Sequence, residues 1–193
     1  TPLSEHKRAA FIGRVFQDPM MGTAATMGIE ENLALAKRRG KMRTLMPGIV
    51  KAEREEYREL LKTLGLGLEN RLTSKVGLLS GGQRQALTLL MATLKKPKLL
   101  LDEHTAALDP KTAAKVLEAT DRIIAKDNLT TLMITHNMRD AITHGNRLIM
   151  MHEGRIILDI RGEEKKHLTV EDLMHEFERC SGEAFASDKA LLG

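Results

Sequence analysis

Tryptophan is absent from the 193 residues, and the aromatic complement is one Tyr and four Phe. Any core must therefore be built mainly from Leu, Ile, Met and Val. There is a single cysteine, Cys180, which excludes an intrachain disulfide and a cysteine metal cluster. It reads as an inert residue near the C-terminal end, and the usage fits a reducing compartment. No apolar run approaches the roughly 20 residues that a membrane-spanning helix needs. Residues 1–10 lack the apolar stretch of a secretory leader. The formal charge of +4 is mild, with no interleaving of basic and aromatic residues, so nucleic acid is not an expected partner. Also missing is any Gly-x-x-x-x-Gly-Lys-Ser/Thr stretch, the loop whose backbone cradles phosphate. With 42% hydrophobic and 29% charged residues, the composition fits a globular chain.

Two textures follow one another along the chain. A strand is expected over 10–16, closed by Gln17-Asp18-Pro19 because Pro removes a ladder donor. Residues 18–28 read as a loop, and 29–38 as a helix. The spacing predicts a further helix over 51–64, with Leu60, Leu61 and Leu64 on its apolar side. Ser80 stands where a helix N-cap belongs, with a helix over 81–94 ended by Lys95-Lys96-Pro97. After Pro97 strands and helices alternate, the pattern of an α/β fold. The all-apolar Leu99 to Leu101 predicts a strand buried on both faces. Asp109-Pro110 opens a helix to about 126, then come a strand over 129–135, a short helix over 137–144, a hairpin over 147–160 and a helix over 170–178. The tail from 181 onward is expected to fray. Because Thr1 is not Met and a strand-like stretch follows almost at once, residues are expected to precede it.

Two motifs dominate the chemistry. Ser80-Gly81-Gly82-Gln83 at a helix start offers unpaired N–H groups and the positive end of a dipole, which favour an anion such as phosphate. The plain alternative is a capped helix with a flexible entry. Asp102 and Glu103 close an apolar strand, where a turn of the backbone can bring both to one crevice. Asp102 is expected to hold Mg2+, because hard cations take carboxylate oxygen, and Glu103 to orient and deprotonate an attacking water. The alternative is a pair of capping acids. His136, at another strand end, could contact a terminal phosphate, or could be an ordinary structural histidine. Gln17 could reach Mg2+ or the water, or could be a simple turn residue. His104 has no ligand spacing to His136 or His144, so no zinc site is expected. The combination points to nucleotide hydrolysis.

Taken in order, these stretches resemble the ATP-binding subunit of an ABC transporter. Val15-Phe16-Gln17-Asp18 is similar to the family's glutamine loop, and Leu79-Ser80-Gly81-Gly82-Gln83-Arg84-Gln85 to its signature. Leu99 to Glu103 resembles the Walker B strand, Ala107-Leu108-Asp109 the D-loop, and Ile134-Thr135-His136 the switch-histidine region. The resemblance covers about the last three quarters of such a subunit. It implies an α/β fold, a P-loop NTPase-like ABC ATPase core with an inserted helical subdomain, expected to be N-terminally truncated. The helical part would span 29–96, the α/β core 1–16 and 97–160, and a C-terminal helix and tail 161–193.

By the same resemblance, Ser80, Gly81, Gly82 and Gln83 would bind the γ-phosphate of ATP held by a second ATPase subunit in a head-to-tail dimer. Asp102 and Gln17 would serve Mg2+, Glu103 and Gln17 the water, and His136 the γ-phosphate. Asp109 would couple the two sites. Residues 29–96 with loop 18–28 would receive a transmembrane permease, placing the chain at the cytoplasmic side of a bacterial plasma membrane. Within the family the sequence resembles most closely the ATPase component of bacterial amino-acid-type importers. That likeness rests on residues 103–109 and on Met150-Met151-His152-Glu153-Gly154. A substrate-binding protein would then be an indirect partner.

Three departures carry expectations of their own. Without the phosphate cradle the chain alone is expected neither to bind ATP at micromolar levels nor to hydrolyse it. The Walker B strand has Lys98 where a fourth apolar residue is usual, so Lys98 sits at the strand mouth or the Pro97 turn absorbs the change. His104 replaces the usual Pro. The chain alone is also expected to be marginally stable, with open sheet edges. A noncatalytic module docking on a permease or on a complete ATPase subunit is the competing reading. A relative acting in DNA repair or translation fits the length poorly.

Overall fold

The computed structural model describes residues 2–41 and 48–181, with no side-chain description for 180 and 181. Cys180 and the tail therefore lie outside the described side chains. The chain divides into two compact units, Thr1–Ile134 and Thr135–Gly193.

In the first unit α1 (Glu5–Arg8) leads into β1 (Ile12–Val15), α2 (Ile29–Lys37), α3 (Lys51–Lys62) and α4 (Gly81–Thr93). Then come β2 (Lys98–Asp102), α5 (Pro110–Asp127) and β3 (Thr131–Ile134). The three strands form one parallel sheet in the order β1-β2-β3. Val15, Leu99 and Leu101 point to its closed side, which α4 covers. Helix α4 is buried along nearly its whole length because Leu, Ala and Thr alternate around all of its faces. Gly13 makes this packing possible: a Cβ there would lie 2.5 Å from the Ala92 carbonyl oxygen and 2.8 Å from Pro97 Cγ. The core continues through Ile29, Leu33, Tyr57, Leu61, Leu87 and Val116.

The expectation of a Walker B strand buried on both faces is corrected. Leu100 is only half-buried, because its side of the sheet is open and is shared with Arg14 and Leu132 in register. Leu132 and Ile134 on that side are 56% and 52% exposed. Lys98 resolves its alternative in favour of the strand mouth. It is exposed, pairs with Ile12 in register and lets β2 keep its length, while Pro97 is buried beneath Gly13. β1 is shorter than expected, since Phe11 lies outside the strand and is 64% exposed.

Helices α2 and α3 are joined by a fork between the nearly buried Glu30 carboxylate and Arg54, at 2.6 and 2.8 Å. Asn32, 1% exposed, ties loop 18–28 to α2. Its Oδ1 accepts from the Ala24 amide at 2.8 Å, and its Nδ2 donates to the Ala24 and Gly28 carbonyls at 3.1 and 2.9 Å. Asn32→Ala removes three hydrogen bonds at once from a buried side chain that anchors the loop. We expect a loss of about 2–3 kcal/mol in denaturant unfolding, with faster amide exchange at Ala24. An unchanged exchange rate there would show that the loop is held by something else.

The second unit holds α6 (Met138–Thr143), the antiparallel hairpin β4 (Arg147–His152) and β5 (Arg155–Arg161), α7 (Glu163–Lys166) and α8 (Val170–Ser181). The hairpin turns through Glu153 and Gly154, both at positive φ, the geometry that suits the twist of paired strands. Helix α8 packs on β5 and α6, burying Leu173. Lys165 is buried, and its Nζ donates to the Ile142 and His144 carbonyls at the end of α6. Burial pushes its pKa down from the usual lysine value.

Candidate functional site

Ser80 caps α4. Its Oγ accepts from the Gln83 amide at 3.3 Å, while Gln83 Oε1 accepts from the Ser80 amide at 3.2 Å, a reciprocal capping box. Gln83 Nε2 donates onward to the Leu66 carbonyl at 3.3 Å. Both ends of the Gln83 amide are thus engaged in holding the helix entry. Ser80 and Gly81 are exposed, and the amides of Gly81 and Gly82 have no acceptor inside the helix, as first-turn geometry dictates. This arrangement can accept an anion at the end of a thirteen-residue helix.

The two glycines of the motif differ. A Cβ on Gly81 would rest 3.6 Å from Leu108 Cδ2, an ordinary contact. A Cβ on the buried Gly82 would lie 1.9 Å from Thr112 Cγ2, inside the neighbouring helix. Gly82 therefore serves the packing of α4 on α5. With that close approach goes the placing of Leu108 beside the helix entry, one residue before the cap of α5. Asp109 caps α5, accepting from the Thr112 amide at 3.1 Å, with Pro110 at the first helical position. The Thr112 hydroxyl, and then its amide, hold the Asp109 carboxyl below the usual carboxylate range.

Gln17 and Asp102 lie at the C-terminal ends of neighbouring parallel strands, since Val15 pairs with Leu101. Gln17 is exposed, and its segment is fixed from below: buried Gln85 donates from Nε2 to the Phe16 carbonyl at 2.8 Å. Arg84, also buried, touches Met20 Sδ and donates to the Val76 carbonyl at 3.2 Å. Neither residue stood out in the sequence beyond its place in the motif. The consecutive polar residues Gln83 to Gln85 near the start of a mostly apolar helix are the available signal.

Asp102 faces the open side of the sheet and accepts from Arg14 Nη2 at 2.6 Å. At Glu103 the backbone turns to φ +43°, its amide donating to the Ile134 carbonyl at 3.0 Å. The strand-end turn expected for the acid pair is thus present. His104 is buried, and its Nε2 lies 3.2 Å from Thr120 Oγ1. The Thr120 hydroxyl gives its one proton to the Val116 carbonyl at 2.8 Å, so His104 donates from Nε2. It pins the exit of β2 to α5 and is unavailable as a ligand at that nitrogen.

The described residues contain no cluster of three or more acidic, histidine or cysteine side chains around a cation. Mg2+ does not require one. It keeps several waters and takes one or two carboxylates together with phosphate oxygens. Asp102, with one oxygen engaged by Arg14, fits that pattern. His136 belongs to the second unit, exposed ahead of Asn137, whose Oδ1 caps α6 through the Arg139 and Asp140 amides.

Residues 2–106 match the family model described as ABC transporter. A tyrosine transport ATP-binding protein of Clostridioides difficile strain R20291 is 49% identical over 179 residues, covering 92% of this chain and 71% of that protein. An aliphatic sulfonates import ATP-binding protein, SsuB 1 of Paraburkholderia xenovorans strain LB400, is 37% identical over 119 residues. That match covers 61% of this chain and 34% of the relative, so the chain spans about a third of that protein. Among solved structures, the ADP conformation of the ATP-binding cassette MJ1267 superposes with a TM-score of 0.71 at 26% identity, covering 95% of this chain and 73% of that one. The dimeric post-hydrolysis cassette MJ0796 bound to ADP and Pi gives 0.66 at 28%, covering 83% and 68%. Among the described residues no helix is long and apolar enough to cross a membrane. The order of the motifs, the parallel sheet with its acid pair at a strand end, and these matches together place the chain in the family of ABC transporter ATP-binding subunits.

Proposed function

We propose that the chain acts as the ATP-binding and hydrolysing subunit of an ABC importer for amino acids or related small solutes, in a head-to-tail pair with a second cassette. The observation that carries the reading is the capped, exposed entry of α4 with Leu108 packed beside it, one residue before the Asp109 cap of α5. It makes one surface from the signature and the D-loop, suited to a phosphate held by the partner. Ser80 presents a hydroxyl, Gly81 and Gly82 present amides, and Gln83 keeps the frame in place. The tyrosine transport relative supports an amino-acid solute, the sulfonates import relative supports import, and the ADP-bound dimer supports the pairing.

On the sheet edge, Asp102 and Gln17 would hold Mg2+, which when bound neutralises phosphate charge. Glu103 and Gln17 would orient the water, with Glu103 taking its proton, and His136 would contact the γ-phosphate. Asp109 would couple the two sites across the pair. Met20, Met21 and Leu78, at 61%, 50% and 70% exposure, support docking of a permease on loop 18–28 and the helical stretch 29–96. That docking would hold the subunit peripherally at the membrane.

With no Gly-x-x-x-x-Gly-Lys-Ser/Thr loop in its sequence, the chain by itself is expected to show no micromolar binding of Mg-ATP by calorimetry. Mixed with a cassette that carries such a loop, it is expected to raise phosphate release above that of the partner alone. Tight binding by the isolated chain would overturn the division of labour. No stimulation, together with co-purification on a permease, would favour the noncatalytic module instead.

A further inference from the structure

The ends of β1 and β2 carry a contact that the capped helix and the acid pair do not require. Arg14, Phe16 and Asp102 fall on the same open side of the sheet, because side chains alternate along a strand and Val15 pairs with Leu101. The Arg14 guanidinium carbon lies 4.5 Å from the centroid of the Phe16 ring, while Nη2 donates to Asp102 Oδ2 at 2.6 Å. Phe16 is itself anchored, since its carbonyl accepts from buried Gln85. The guanidinium is therefore positioned from two sides: the ring holds it by a cation–π contact, and the carboxylate orients it. The side chains of Arg14 and Asp102 are 51% and 37% exposed, and ion pairs so exposed contribute little to folding. Stability is thus a weak reason for this arrangement.

We infer that Arg14 is a tethered counter-charge that competes with a divalent cation for Asp102. The inference rests on the metal role proposed for Asp102 above. A cation approaching that carboxylate meets a guanidinium on one of its two oxygens. It must share the group across a few ångströms or displace the arginine. Repulsion between a single and a double positive charge about 6 Å apart, in a water-like dielectric, corresponds to about a tenfold loss of affinity at low salt. Screening reduces it at higher ionic strength. Arg14 so keeps the acid end of β2 compensated until phosphate oxygens bring enough negative charge to favour the exchange. It is a positioning residue, acting through Asp102 and the cation site.

The test uses the full chain and Mn2+ alone, reading paramagnetic broadening of the Asp102 and Glu103 amide signals. Arg14→Met keeps the aliphatic stem against Phe16 and removes the charge. It is expected to lower the Mn2+ concentration for half-broadening by about threefold to tenfold at low salt. Arg14→Lys should stay near the parent, and the gap should narrow in about 0.5 M salt. A purely structural role would produce neither the charge rule nor the salt dependence. Arg14→Gln serves as a second neutral variant, should Arg14→Met fold poorly. Equal midpoints in the parent and the neutral variants would overturn the inference while leaving the metal role of Asp102 standing. If Asp102→Asn leaves the broadening unchanged, or none occurs in any form, the metal role falls and the inference falls with it.

Discussion

Gly81→Asp is expected to cut phosphate release in a mixed two-cassette assembly about 100-fold or more, the scale seen when a preorganised donor to a developing anion is lost. The carboxylate would stand at the exposed entry of α4, where the proposed phosphate belongs, and would itself take the positive end of the helix. The same charge should leave folding intact. A Cβ at residue 81 meets only Leu108 at an ordinary distance. An acidic residue in the first turn stabilises a helix by about 0.3–1 kcal/mol. Gly81→Asn supplies the uncharged comparison and should cost much less activity. Parallel phosphate-release and denaturant measurements would separate the two effects. Full release by Gly81→Asp would mean that α4 does not present its amides to phosphate.

Gly82→Ala should do the reverse, harming the fold before the chemistry. Its Cβ would enter the Thr112 side chain, and overpacking of this kind costs about 1–3 kcal/mol. Thr112→Ser removes the obstructing methyl, so the double variant should recover most of the loss in the denaturant midpoint. Asp109 keeps its cap in that variant, because Ser retains both the backbone amide and the hydroxyl that face the Asp109 carboxyl. If Gly82→Ala is as stable as the parent, α4 and α5 lie further apart than the structure places them.

These adjacent glycines show where reading residues in order stops being sufficient. In the sequence both read alike, as members of one phosphate-binding motif. Only the crossing of α4 over α5 shows that Gly82 is taken up by helix packing while Gly81 stays exposed at the helix entry. The long elements could be read directly. The Ser80 cap and the Lys95-Lys96-Pro97 stop bracket α4 to within a residue, and Asp109-Pro110 marks the start of α5. Their signals are local and redundant. The short helices α1 and α7 gave no such signal, because four residues cannot nucleate a helix alone and depend on their surroundings. The half-burial of Leu100 is not legible in the sequence for a related reason. An apolar strand does not reveal whether both sides of its sheet are covered.

The family, the order of its motifs and the residue types available for phosphate, cation and water were all present in the chain as written. Each depends on identity and spacing within a few residues. The pairings that give those residues their settings span far greater separations. Arg14 meets Asp102 across 88 positions, and Gln85 meets the Phe16 carbonyl across 69. Which side chains share a face across such distances is set by strand register and helix crossing, and register follows from how the whole core packs. Local sequence therefore named the parts, and the tertiary structure decided which acid has a counter-charge, which glycine is packed and which histidine is buried.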